Sequence, residues 1–423
     1  MESIPTKKTF NSYIFFWIGQ LFSILGSLIV QFVIIVWVTS VTESLLMVSL
    51  VYFFFLVPPL IISPFAGVFS DRYDRKKLIL IADSSQAFLT LILIGLFQFN
   101  LANLIIVFSF VGLRSTCQAF HSPTVFAIVP SMVPKDQLGR MNGLDYLFSG
   151  FVSIIGAPIG AVFFFIFRAQ LNIILWVDVI TFLVALVPLL IVKIPRVQIQ
   201  TQIDNPQNKS FFREFKMGFK VLRAIPGLLL IMVVAMLANF LLQPMIGLMS
   251  FYILEKFNGT VLILGILQAI IPTASLFGAL VPIIKKNWKN KVTVIFFGLI
   301  IVNAGYLIYA LLPLRFLLFP LIPMGFVLPI INALAMTIFQ TVIPKDKIGR
   351  VSSIIITLST LISPLGVIIS GPLSLIFGLS PLYVYCATIG IIVGITFYSF
   401  TGLRHIDYDS EFELNIPEEN NKI

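Results

Sequence analysis

Long apolar runs, broken at intervals by short polar or charged stretches, set the pattern of this chain. Crossing roughly 30 Å of hydrocarbon takes roughly 20 residues of helix at about 1.5 Å each. Between the polar breaks twelve runs reach that length: 12–38, 44–69, 78–98, 101–123, 141–166, 171–192, 226–254, 260–284, 292–312, 314–340, 349–377 and 380–402. The stretch 123–141 is open to being an extension of the fourth. A membrane β-barrel needs segments of about ten residues that alternate apolar and polar, and runs such as Leu45–Ile62 do not alternate. The pattern predicts an all-α membrane protein with twelve spanning helices.

Composition agrees. The 423 residues are 58% hydrophobic and 11% charged, with a mean hydropathy of +1.03, against about 25% charge in a soluble domain. A single core cannot absorb that surplus, because a soluble fold still needs a polar shell, so the excess faces lipid. Lys7 and Lys8 precede an apolar run too long for a signal core, with no small-residue cleavage site after it; the first hydrophobic segment is expected to stay in the membrane. Cys117 and Cys386 lie far apart in separate spans and read as small core residues, with no disulfide framework and no metal site.

The net charge of +10 changes meaning once it is distributed. Of 28 Lys and Arg, 24 fall on one side of the predicted spans, Arg168, Lys256 and Arg315 fall on the other, and Arg114 lies inside a span. By the positive-inside rule both termini are cytoplasmic in a multi-pass protein of the cell membrane. The charge then belongs to membrane topology and lipid contact, and nucleic acid is not expected as a partner.

An internal repeat organises the chain. Val133–Leu144 recurs 210 residues later as Ile343–Ile354, with Pro134/Pro344, Lys135/Lys345, Asp136/Asp346, Gly139/Gly349 and Arg140/Arg350 identical. Ser153/Ser363 and Gly156/Gly366 keep the register into the next helix. Both copies join the fourth and fifth helix of a six-helix set, as expected of two parallel repeats about a membrane-normal axis. The expected domains are an N-terminal half, 1–192, a cytoplasmic linker, 193–225, a C-terminal half, 226–402, and an acidic cytoplasmic tail, 403–423. Within the linker, Phe211, Phe215, Phe219 and Leu222 share one face of an amphipathic helix that Ser210 caps, with Arg213, Lys216, Lys220 and Arg223 around it. Such a helix suits the anionic inner leaflet.

Between the second and third spans stands Gly67-Val-Phe-Ser-Asp71-Arg72-Tyr-Asp74-Arg75-Lys76-Lys77, which resembles the major facilitator signature G-x-x-x-D-R-x-x-R-K/R-K/R, with Asp74 where the common form has Gly. The resemblance implies the major facilitator fold, with Gly67, Asp71, Arg72, Arg75 and Lys76 as a transport and gating motif. Gly67 suits a close helix approach, and Asp71 is expected to brace a neighbouring helix N-terminus, that of the eleventh near Gly349. Gly19-Gln20 with Gln31, Arg114-Ser115 followed by Ala119-Phe120-His121-Ser122-Pro123, and Phe257-Asn258-Gly259-Thr260 are similar to the macrolide-efflux subgroup, and the likeness runs nearly the whole chain. It implies a secondary drug:proton antiporter. Gly156-Ala157-Pro158-Ile159-Gly160, after Gly150, resembles the fifth-helix antiporter motif but departs from it at Ala157 and Ala161.

Ionisable groups inside spans are costly and usually functional, which makes Asp83, Arg114, Asp145 and Asp178 the proton-coupling candidates. Asp83 and Asp145 lie near the cytoplasmic ends, where a wet and a buried setting are equally open; Asp178 is deeper. Asp83 and Arg114 sit at similar depths on either side of the turn at 99–100, which makes them an expected pair, with Asp145 the competing partner for Arg114. Such a pair serves either as a proton carrier released by substrate or as a static bridge. His121 reads as a capping or packing residue. In this superfamily the first, fourth, seventh and tenth helices line the cavity; that implies Gln31, Asn239, Gln243 and Asn332 as polar substrate contacts and Trp37, Phe240 and Phe326 as walls.

The expected function is secondary active export of small amphiphilic compounds, macrolide-like or other drugs, driven by protons through alternating access. A lipid or lysophospholipid carrier of the same superfamily is the alternative. An enzyme is not expected, since no nucleophile, HExxH, CxxC or Walker constellation occurs. The expected partners are a small-molecule substrate, protons and membrane lipid. No cofactor is expected, and the working unit is a monomer.

Overall fold

The computed structural model describes residues 5–195, 219–220, 222–285, 288–343, 348–406 and 408. The twelve runs become α1 (Lys7–Thr42), α2 (Leu45–Arg72), α3 (Arg75–Gln98), α4 (Leu104–Met132), α5 (Leu138–Ile166), α6 (Leu171–Ile174 and Trp176–Ile191), α7 (Leu228–Phe251), α8 (Val261–Ile284), α9 (Lys291–Leu311), α10 (Leu318–Val342), α11 (Ile348–Leu361 and Ser363–Phe377) and α12 (Leu379–Phe400). A π-turn, Tyr252–Lys256, extends α7. Among the described residues there is no strand, and twelve helices are long and apolar enough to cross a membrane.

Several helices outrun their apolar cores, because polar residues carry them on. The side chain of Thr6 accepts from the Thr9 amide and Thr9 returns the bond, a capping box that starts α1 at Lys7. Asp74, the residue that departs from the family signature, caps α3 through the Lys77 amide at 3.2 Å. Helix α4 continues through Pro123 and Pro130 to Met132, since a proline inside a packed span removes one bond and bends the helix without ending it. The stretch after 123 is therefore helix as far as Met132.

Contacts divide the chain into two compact units. The first gathers α1–α6 with the segments 247–273 and 367–376; the second gathers the rest of the C-terminal half. In the first unit α1 is the axis: Phe10, Tyr13, Phe16, Trp17 and Leu21 pack with Ile79 of α3, Ile128 and Met132 of α4, Met141 and Val152 of α5, and Leu189 of α6. Its glycines set the spacing. A Cβ on Gly26 would run into Thr181 and come within 3.3 Å of the Asp178 Cα, and one on Gly160 would lie 2.8 Å from Phe32. The resemblance to the antiporter motif at Gly156 and Gly160 thus corresponds to close packing of α5 on α1.

At the end opposite the basic loops, elements of both repeats meet inside this first unit. Thr39 of α1 donates to Ser250 of α7 at 3.0 Å. A Cβ on Gly371 of α11 would lie 3.0 Å from the Leu46 Cα, and one on Gly265 of α8 would lie 2.6 Å from Ala161. In the second unit, α9 packs on α10 and α12, with Tyr306, Tyr309 and Tyr383 fully buried. Tyr408 donates to the Pro226 carbonyl at 3.1 Å over Gly227, whose φ of +75° suits glycine. Burial pushes the Tyr408 hydroxyl up to about 12.

Candidate functional site: two buried polar clusters in the N-terminal half

Polar residues on α3 and α4 recur at helical spacing inside apolar sequence. On α3 they are Asp83, Gln86 and Thr90, and on α4 Arg114, Gln118 and His121. Each set lies along one stripe of its helix. The stripes build two clusters, an upper one at Asp178 and a lower one at Asp83.

In the upper cluster Arg114 forks onto Asp178: Nη1 to Oδ2 at 2.6 Å and Nη2 to Oδ1 at 3.1 Å. Thr90 donates to Oδ2 at 2.7 Å and Ser27 approaches Oδ1 at 3.5 Å. Four donors from α1, α3 and α4 therefore serve one carboxylate on α6. A two-pronged, charge-assisted pair of this kind is the strong form of the interaction. Arg114 and Asp178 are 5% exposed each.

The expected pairing of Asp83 with Arg114 is overturned. Matching depth on antiparallel helices left out which way each side chain turns, and Arg114 turns toward α6. Asp83 is also not wet; it is 3% exposed. His121 is neither a helix cap nor apolar packing. At 3% exposure its Nε2 lies 2.8 Å from Gln20 Oε1, its Nδ1 lies 3.4 Å from Gln118 Nε2, and Asp83 Oδ1 is 4.0 Å from Nε2. Both carboxyl oxygens of Asp83 and the amide nitrogen of Gln20 are buried with no hydrogen-bond partner among the described residues. Asp145, the remaining candidate, is exposed and accepts from the Trp17 indole at 2.8 Å; it does not reach Arg114.

The signature loop resolves into carbonyl clamps. Arg75 donates to the Ser70 carbonyl at 3.2 Å and to the Ala127 carbonyl at 2.7 Å, three residues before Pro130. Lys76 donates to the Leu190 and Val192 carbonyls at 2.8 Å each, at the end of α6. The ends of α2 and α6 leave such carbonyls unpaired and partly negative, so these cations tie α3 to the ends of α2 and α6 and to the Ala127 carbonyl within α4. The side chains of Asp71 and Arg72 and the surroundings of Gly67 and Gly349 lie outside what is described, and with them the expected brace. So do Pro344, Lys345, Asp346, most of the linker helix and the tail beyond Tyr408.

The cavity candidates divide between the units. In the first, Gln31 is half-buried and Trp37 sits edge-on to Phe97 with centroids 5.1 Å apart. In the second, Asn239 and Asn332 are exposed, Phe240 is half-buried, Phe326 is exposed, and Gln243 is buried against Gly366. Asn239 donates back to the Ala235 carbonyl at 3.0 Å. Among the described residues no group of His, Cys, Asp and Glu is placed to hold a metal ion.

This twelve-helix, two-repeat chain belongs to the Major Facilitator Superfamily, whose family model matches residues 16–367. It is a membrane transporter, not an enzyme. It is 27% identical over 396 residues to macrolide efflux protein A of Streptococcus pyogenes, covering 92% of this chain and 96% of that one. The protein of the same name from Enterococcus faecalis is 27% identical over 315 residues, covering 73% and 95%. Among solved structures, a mutant of the nucleoside transporter NupG matches with a TM-score of 0.71 at 12% identity, covering 92% of this chain and 99% of that one. A bacterial homologue of the iron transporter ferroportin, inward-facing, matches with a TM-score of 0.68 at 14% identity, over 92% and 99%. Identities this low show the fold alone.

Proposed function

We propose that this chain is a secondary active exporter of small amphiphilic compounds, macrolide-like drugs among them, driven by protons through alternating access of its two halves. The observation that carries this reading is the 27% identity, along 92% of the chain, to a protein named for macrolide efflux. Buried ionisable groups in a spanning bundle support ion coupling, because each is too costly to keep without a task. The excess of Lys and Arg on one side of the spans supports cytoplasmic termini in the cell membrane. In this reading residues 1–192 and 226–402 are the moving halves. Gln31, Trp37, Asn239, Phe240, Gln243 and Asn332 are the substrate contacts in this reading.

The test is expression in a host stripped of its major efflux pumps, with growth compared across a toxic-compound panel with and without an uncoupler. Protection against macrolides that the uncoupler abolishes is the expected result. Protection against no compound, or protection indifferent to the uncoupler, defeats the reading.

A further inference from the structure

We propose that Asp83 is the proton-carrying group of this transporter and that His121 is its switch, a donor that moves between Gln20 and Asp83 as the carboxyl gains and loses its proton. The proposal rests on the export reading for its purpose and on geometry for its content.

The contacts to Gln118 and Gln20 are both satisfied by the His121 tautomer that carries its proton on Nε2, with Nδ1 accepting from Gln118 and Nε2–H donating to Gln20 Oε1. In that position His121 gives nothing to Asp83, 4.0 Å away. No described residue donates to this carboxyl, whose two oxygens are both buried. An ionised carboxylate cannot be kept so without a large desolvation cost, so the arrangement fits the neutral acid. When the O–H bond breaks and the proton leaves to water, the carboxylate needs a donor. A short swing of the imidazole supplies Nε2–H and releases Gln20. The imidazole proton never leaves its nitrogen, so one proton is carried per cycle, by Asp83 alone.

The swing changes which helices are tied. Gln20 is on α1, Asp83 on α3 and His121 on α4, so the protonated acid leaves α4 bonded to α1 and the ionised one bonds α4 to α3. Pro123, two residues beyond His121, removes one backbone bond from that turn of α4 and makes room for it to adjust. The surrounding charges are few. From α6 comes Asp178, already held by Arg114, and from α4 Cys117 faces the same carboxyl. On α5 Asp145 is engaged by Trp17, and on α3 itself Arg75 and Lys76 are engaged by carbonyls. The charged end of α2, Asp71 and Arg72, lies outside the described side chains.

The experiment uses the full-length protein in lipid nanodiscs and proteoliposomes. Infrared titration of wild type minus Asp83→Asn is expected to isolate one carboxylic-acid carbonyl band, whose midpoint moves in His121→Leu. No such band, or a midpoint indifferent to His121→Leu, overturns the proposal; the second comparison stands if Asp83→Asn does not fold. In proteoliposomes with erythromycin as the probe, an imposed pH gradient is expected to drive accumulation in wild type. Asp83→Asn is expected to lose that accumulation and keep gradient-free exchange. Gradient-driven accumulation in Asp83→Asn overturns the proposal. A wild type that ignores the gradient defeats the export reading instead, and the infrared arm then decides this one.

Discussion

Asp178 and Asp83 are two buried carboxylates among the same helices, and the fold treats them in opposite ways. Asp178 has four donors, from Ser27, Thr90 and both arms of Arg114, at 2.6 to 3.5 Å. Among the described residues Asp83 has none within hydrogen-bond reach. Where the surroundings screen poorly, the number of donors separates a carboxylate that holds helices together from one left free to change its charge. The first is a knot across α1, α3, α4 and α6; the second is a pocket with its hydrogen bonds unmade.

The largest effect is expected from cutting the knot. Asp178→Asn strands the Arg114 guanidinium, and breaking one side of a buried pair costs about 3–5 kcal/mol. The variant should express poorly and melt well below wild type in detergent. Arg114→Met with Asp178→Leu, which removes both charges at similar volume, should recover much of that loss. A single mutant as stable as wild type would remove the knot from the account of stability.

A smaller loss is expected where the knot's spacing is set. Gly26→Val pushes a side chain into Thr181 beside Asp178, and overpacking of this kind costs about 1–3 kcal/mol. The same melting assay checks it, and no change would mean that α1 and α6 have slack at this level. Smaller again is Lys76→Met, which withdraws a cation from the Leu190 and Val192 carbonyls. About 1 kcal/mol is expected for charge at a helix C-terminus, less at high salt, and an equal loss at low and high salt would argue against the electrostatic account.

How much of this was legible in the sequence depends on what each feature requires. Spanning helices announce themselves through length and hydropathy, and all twelve were readable; their ends were not, because Thr6, Asp74 and the bent α4 extend them with polar residues and prolines. The charged members of both clusters were also visible, since each breaks an apolar run. Their partners were not. Depth follows from counting residues along a helix, but azimuth depends on how α4 is rotated against α3 and α6. Counting alone paired Arg114 with Asp83 when its partner is Asp178. The signal that was there to use is the stripe of Asp83, Gln86 and Thr90 with Arg114, Gln118 and His121, which marks the inward faces of both helices. His121 alone, near the end of its span, reads as a capping or packing residue; with Arg114 and Gln118 it forms three polar residues at helical spacing, which is a pattern.

The sharpest test of the contrast is the smallest effect. Asp83→Asn keeps the shape of the side chain and removes its ability to ionise, and no described residue donates to that carboxyl group. Removing a group that accepts no hydrogen bond forfeits none, and the amide, like the neutral acid, has no charge to desolvate. The melting temperature should therefore stay at the wild-type value or rise, measured beside Asp178→Asn in the same detergent and at the same pH. Both substitutions turn an aspartate side chain into an amide inside the same half of the protein, so a difference between them reports the partners each site supplies, the Arg114 charge and the hydroxyl donors at Asp178 against their absence among the described residues at Asp83. If Asp83→Asn falls as far as Asp178→Asn, the lower cluster is a second knot, and the distinction between scaffold and working carboxylate drawn from donor count fails for this protein.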